Sequence, residues 1–162
     1  MNTVRSMLYD IGEYKENLMR HLAKCPELGK VLLMHEPTEE ERDGLGYSQI
    51  FPYLYVPDVQ DEKKSYVCFE VDSSGSGTMK VMTLTVYILC HKDYMNYYLK
   101  GYQGTTVDIL CDMFERQIEE CKDFGIGKWD LDSTWHFFPN NSYYGKTLTF
   151  KISDFKNKVK RK

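Results

Sequence analysis

Three stretches of this sequence predict an α+β fold: a mainly antiparallel sheet with a long β-hairpin, packed against an N-terminal helix and one central amphipathic helix. The first is Val81-Met82-Thr83-Leu84-Thr85-Val86-Tyr87-Ile88-Leu89-Cys90-His91. Met82, Leu84, Val86, Ile88 and Cys90 fall on one face at a period of two, and Thr83, Thr85, Tyr87 and His91 on the other, as in a sheet packed on one side only. The second is Thr105 to Cys121, where Val107, Leu110, Cys111, Phe114, Ile118 and Cys121 recur at helical spacing beside the polar Asp108, Asp112, Glu115, Arg116, Glu119 and Glu120. The third is Tyr66 to Asp72, with Val67, Phe69 and Val71 inward. It joins the long strand through a tip that includes Ser74, Gly75, Ser76 and Gly77.

The remaining elements follow in chain order. Thr3 is placed to cap an opening helix that runs to about Lys24, with Val4, Met7, Leu8, Ile11, Leu18 and Leu22 as its apolar stripe. After Pro26 a short apolar run, Lys30 to Met34, leads into the acidic segment His35 to Gly46, which reads as a mobile loop. Pro52 inside Ile50 to Tyr55, and Pro57 after it, point to an edge strand or an extended crossing segment. Beyond the central helix, Gly125-Ile126-Gly127 ends the helical region, and Trp129, Leu131, Trp135 and Phe137 alternate with Lys128, Asp130, Asp132, Thr134 and His136. Pro139 to Ser142 makes a turn, and the last strand, Lys146 to Ser153, places Leu148, Phe150 and Ile152 on one face. The expected organisation is one α+β domain over residues 1–155 followed by a basic tail, 156–162, without internal repeats.

A chain of 162 residues is the size of one domain and buries roughly 70% of the surface its unfolded form exposes, so it needs no covalent staples. Cys25, Cys68, Cys90, Cys111 and Cys121 form an odd set without CxxC spacing, and no apolar signal-like segment precedes Tyr9; both fit a reducing, cytosolic setting. No run reaches the roughly 18 apolar residues of a membrane helix, so no membrane contact is expected. The net charge of −3 is unevenly laid out, because Lys156, Lys158, Lys160, Arg161 and Lys162 close an otherwise acidic chain. Such a tail suits either contact with nucleic acid or an acidic protein, or a solvated end. Thirteen tyrosines are many for a soluble domain, and exposed tyrosines favour protein–protein contact.

No catalytic constellation emerges. Gly145-Lys146-Thr147 echoes the end of a phosphate-binding loop, but the position five residues before Gly145 is Asn140 and a strand follows where a helix is required. Cys68, Cys90 and His91 do not make a metal site, since strand alternation sends residues 90 and 91 to opposite faces. His91 with Asp93, and His136 with Asp130 and Asp132, lack a signposted nucleophile. The run Glu39-Glu40-Glu41-Arg42-Asp43 reads as a solvated loop. The expectation is a protein that is not an enzyme and uses no cofactor and no metal.

Taken together, several pieces resemble the tail terminator and tail completion proteins of tailed bacteriophages, small α+β subunits of the head–tail junction. They are the opening helix Thr3 to Lys24, the aromatic segment Ile50-Phe51-Pro52-Tyr53-Leu54-Tyr55, the hairpin Tyr66 to Lys92, the helix from Thr105, Gly125-Ile126-Gly127-Lys128-Trp129-Asp130-Leu131, and Tyr143-Tyr144-Gly145-Lys146-Thr147-Leu148-Thr149-Phe150. Where many relatives carry Arg-x-Asp at the start of the covering helix, this chain has Gly104-Thr105-Thr106-Val107-Asp108, with Asp108 as the corresponding position. The resemblance implies a structural virion protein of the neck, assembled in the host cytoplasm. It implies a homo-oligomer, a hexameric ring that ends the tail tube and joins tail tube protein to head–tail connector proteins, with DNA passing through the lumen and no sequence-specific binding. On that reading Phe51, Tyr53, Tyr55, Tyr94, Tyr97, Tyr98 and Tyr102 are the first candidates for subunit or partner contacts. A head–tail adaptor, a tail tube subunit and a cytoplasmic protein-binding module of phage origin are the alternative readings.

Overall fold

The structure, a computed structural model, describes residues 3–4, 6, 8–58, 62–75, 77–156 and 159–160. In chain order it runs β1 (Thr3–Val4), α1 (Tyr9–Ala23), α2 (Pro26–Leu33), α3 (Glu39–Asp43), β2 (Ile50–Phe51), β3 (Ser65–Ser74), β4 (Met79–His91), a 3-10 turn (Lys92–Tyr94), α4 (Thr106–Glu120), β5 (Ile126–Asn140), β6 (Tyr143–Phe155) and β7 (Val159–Lys160). The main sheet has the order β2-β3-β4-β6-β5, antiparallel throughout except for the short parallel pairing of β2 with β3. This is the expected α+β fold. β1 and β7 form a separate antiparallel ribbon.

The hydrophobic alternation places one face of the sheet under the helices. Met82, Leu84, Val86 and Ile88 of β4, Val67, Phe69 and Val71 of β3, and Leu148, Phe150 and Ile152 of β6 form one core with Tyr14, Leu18 and Leu22 of α1, Leu28, Val31 and Leu32 of α2, and Val107, Leu110, Phe114 and Ile118 of α4. Burying so much apolar surface is the main force holding helices to sheet. α4 begins with a reciprocal cap: Thr105 Oγ1 accepts the Asp108 N–H at 3.3 Å, and Asp108 Oδ2 accepts the Thr105 N–H at 2.9 Å. Burial acts to raise the pKa of Asp108, but hydrogen bonds from Lys146 and Thr105 outweigh it and hold the carboxyl below its ordinary range.

Several expected boundaries move. The opening helix starts at Tyr9 rather than near Thr3, because Thr3 and Val4 are taken by β7, opposite Lys160 and Val159. The basic tail is therefore not wholly a solvated end; residues 157, 158, 161 and 162 lie outside the described residues. Lys30 to Met34 is the end of α2 and its left-handed cap, Met34. Within His35 to Gly46, α3 is closed by a capping box between Thr38 and Glu41 instead of being a structureless loop. The strand part of Ile50 to Tyr55 is only Ile50–Phe51. Ser74 still pairs with Val81 and belongs to β3, so the hairpin turn is narrower than expected; Gly75 and Gly77 have positive φ, and Ser76 lies outside the described residues. In β5, Trp129 is buried but Trp135 is 67% exposed, because the register shift against β6 between Leu131 and Ser133 reverses the alternation between them at the sheet's edge.

One polar cluster sits inside the core. Tyr14 Oη donates to Asp154 Oδ2 at 2.5 Å, and Lys80 Nζ lies 2.5 Å from Asp10 Oδ2, all four residues being buried. Burial, then the Asp154 hydrogen bond and charge, raise the Tyr14 pKa well above its ordinary 10.0. The folded chain thus keeps a proton that the unfolded chain gives up, so this stabilisation is full below pH 10.0 and is lost as pH rises beyond it. In urea melts at about pH 8 and about pH 10.5, wild type is expected to lose more stability than Tyr14→Phe. Equal losses would mean that the phenol does not titrate in this way.

Candidate functional site

At the end of the sheet away from the β3–β4 tip, the face opposite the helices carries a second, aromatic cluster. Phe51, Tyr66, Cys68, Leu89 and Tyr143 are buried there, flanked by Tyr55, Tyr87 and Phe137. The same alternation that sends Val67 and Phe69 into the main core sends Tyr66 and Cys68 to this side. The sheet is therefore packed on both faces at this end, a correction to the one-sided expectation. Burial of the Cys68 thiol pushes its pKa to about 11, which suits a packing residue better than a nucleophile.

The rings form a continuous chain. Phe51 stacks on Tyr55 at 4.5 Å; Tyr55 meets Tyr66 at 5.4 Å, Tyr66 meets Tyr143 at 6.0 Å, and Tyr143 meets His91 edge-on at 5.1 Å. His91 continues to Tyr94 at 6.3 Å, while at the other end Phe51 meets Tyr53 and Tyr47 at 5.5 and 6.5 Å. Both ends surface, at Tyr47 and Tyr53 on one side and Tyr94 on the other, beside the exposed Leu54 and Val56. The arrangement is fixed from beneath. Buried Gln49 donates to the carbonyls of Leu32 and Ser65 at 2.8 and 3.0 Å, and Asn140 Nδ2 donates to the Pro57 carbonyl at 3.1 Å.

The structure thus brings together Phe51, Tyr53, Tyr55 and Tyr94, through four rings that sequence reading missed: Tyr47, Tyr66, His91 and Tyr143. Phe51 is buried and Tyr55 half-buried, so these two support the surface rather than form it. Tyr97, Tyr98 and Tyr102 lie apart, on the connection into α4. Tyr98 is 82% exposed, Tyr97 packs on the main core, and Tyr102 carries the Arg116 guanidinium 4.2 Å above its ring while donating to Glu27 at 3.0 Å. Burial and that hydrogen bond push the Tyr102 pKa to about 12.

Cys68 and Cys90 fall in the two different clusters, on opposite faces of the sheet. Among the described residues, no group of three His, Cys, Asp or Glu can hold a metal ion. A groove of about 500 Å³ runs between α1 and the aromatic segment, lined by Gly12, Lys15, Glu16, Met19, Arg20, Tyr47 and Pro52. What this end of the molecule offers is rigid aromatic contact area. Among the described residues, no helix is long and apolar enough to cross a membrane.

Residues 16–152, from within α1 to near the end of β6, match the YomW family. This chain belongs to the YomW family. The match takes in β2 to β5 and β6 as far as Ile152, together with α2, α3 and α4. The family match supports a phage origin, the coarse part of the resemblance drawn from the sequence. No curated protein matches the chain.

Proposed function

We propose that this YomW-family protein is a structural protein of the phage neck, a subunit of a hexameric ring that ends the tail tube and presents a surface to the head connector. It performs no turnover. DNA passes through the lumen without sequence-specific contact, and the protein acts in the virion after assembling in the host cytoplasm. The observation that carries this reading is the aromatic chain, whose exposed ends, Tyr47, Tyr53 and Tyr94, rest on buried rings. Rigid, amphipathic rings lose little conformational entropy on contact and are enriched where proteins meet. A head-to-tail contact that closes after a fixed rotation gives a ring.

Light scattering after gel filtration, with the protein alone and mixed with tail tube protein, is expected to show one discrete species near the mass of six chains. Fibres that lengthen with concentration would make it a tube subunit. A monomer under both conditions would overturn the ring.

A further inference from the structure

We propose that neighbouring subunits are joined by strand addition, with β5 of one copy pairing antiparallel to the outer edge of β3 in the next. The proposal deepens the ring reading above and rests on it. Both edges are open among the described residues. β2 pairs only with Val67 and Cys68, which leaves Phe69 to Ser74 without a strand on the side away from β4, and β5 ends the sheet on the far side.

The backbone phase shows which groups wait there. The Val67 N–H donates to the Gln49 carbonyl at 2.8 Å, so the odd-numbered residues of β3 face outward. The Val71 N–H is met by the carboxylate of Glu70 at 3.2 Å, which Lys15 also holds. That half-buried ion pair guards the edge, of the kind that keeps lone chains from pairing freely and that a partner strand has to displace. Carrying the same alternation through β4 and β6 leaves the main-chain groups of Thr134 and His136 facing outward from β5. Exposed Trp135 sits between them, within Ser133 to Phe137, a run free of register shifts.

Strand direction selects this partner. β4 and β5 both run antiparallel to β6, and β3 runs antiparallel to β4, so β3 and β5 point in opposite directions. Two copies related by a shift across the sheet therefore meet in antiparallel sense, with their helices on the same side, and a third adds in the same way. Such a contact is head-to-tail, as a ring requires. Charge selects the register. The rows of the sheet put Asp130 level with Asp72, so an unslipped neighbour would face like charges directly. A slip of two residues sets Ser133 opposite Asp72, Thr134 opposite Val71, Trp135 opposite Glu70 and His136 opposite Phe69; the contact ends there, because β2 holds Cys68 and Val67, and β5 turns off the edge into its register shift between Phe137 and Asn140. The slip also supplies the stagger that a closed sheet needs.

In this register Trp135 and Glu70 are a non-hydrogen-bonded pair, the close kind that a disulfide can bridge. We would prepare Trp135→Cys and Glu70→Cys separately, mix them under mild oxidation with tail tube protein present, and run non-reducing electrophoresis. The expected result is a band at twice the chain mass that dominates the mixture and is missing from either variant alone. Thr134→Pro, which removes an outward donor without touching a β6 ladder bond, is expected to keep the wild-type circular dichroism and to fall from ring to smaller species. Rings that form while the mixture stays uncrosslinked would overturn this contact and leave the ring reading standing. Crosslinking of Trp135→Cys with itself would mean β5-to-β5 pairing and would also overturn it. A wild-type chain that stays monomeric with tail tube protein overturns both.

Discussion

Replacing Lys80 with alanine is expected to lower stability by about 3–5 kcal/mol, the usual cost of breaking a buried ion pair from one side. Lys80 is 1% exposed, its ammonium lies 2.5 Å from the Asp10 carboxylate, and Asp154 stands directly opposite it in the pairing of β4 with β6. Removing the ammonium strips a cation from a site that holds two buried carboxylates. Total stability for a domain of this size is about 5–15 kcal/mol, so the loss is a large share. It corresponds to a fall in Tm of roughly 6–20 °C at the usual 2–4 °C per kcal/mol. Lys80→Met separates charge from volume, because it keeps most of the packing. If thermal melts show Lys80→Met within about 1 kcal/mol of wild type while Lys80→Ala collapses, the effect is a cavity and not the charge.

That cluster also shows what sequence reading could reach. The period-two runs of β3, β4 and β6 and the capped, amphipathic α4 were legible, because a single residue choice repeats at each inward position. The phase of those runs extends to Lys80, two residues before Met82, and to Asp154, two after Ile152, and both point inward. They were passed over because a charge at the end of an apolar run reads as the end of the strand, whereas here the charges meet each other and α1. Thr3 failed as a cap for a similar reason: a distant strand, β7, outcompeted local helix signals. The aromatic site was half legible. Phe51, Tyr53 and Tyr55 are neighbours in sequence, but Tyr66, His91 and Tyr143 join them only through the registers of three strands. Their signal was there as aromatics at the wrong phase for the main core.

Gly145→Ala is expected to cost about 1–3 kcal/mol, although it adds one methyl group in a strand where alanine is locally acceptable. A Cβ at this position would lie 2.3 Å from the Ile88 carbonyl oxygen and 3.1 Å from Cδ1 of Phe137. The oxygen belongs to backbone, and β6 is held on both sides, with Gly145 opposite Leu89 in β4 and Phe137 in β5, so neither neighbour can recede without loosening a ladder. This gives the Gly145-Lys146-Thr147 triplet a purpose that needs no phosphate. The glycine lets β6 approach β4 closely, Lys146 Nζ reaches 2.6 Å to Asp108 at the cap of α4, and Thr147 pairs across the strand with Tyr87. Urea melts of Gly145→Ala, with Thr147→Ala as a control expected to stay within about 0.5 kcal/mol, check this. Wild-type stability in Gly145→Ala would show that the ladder yields, and the glycine would then need another explanation.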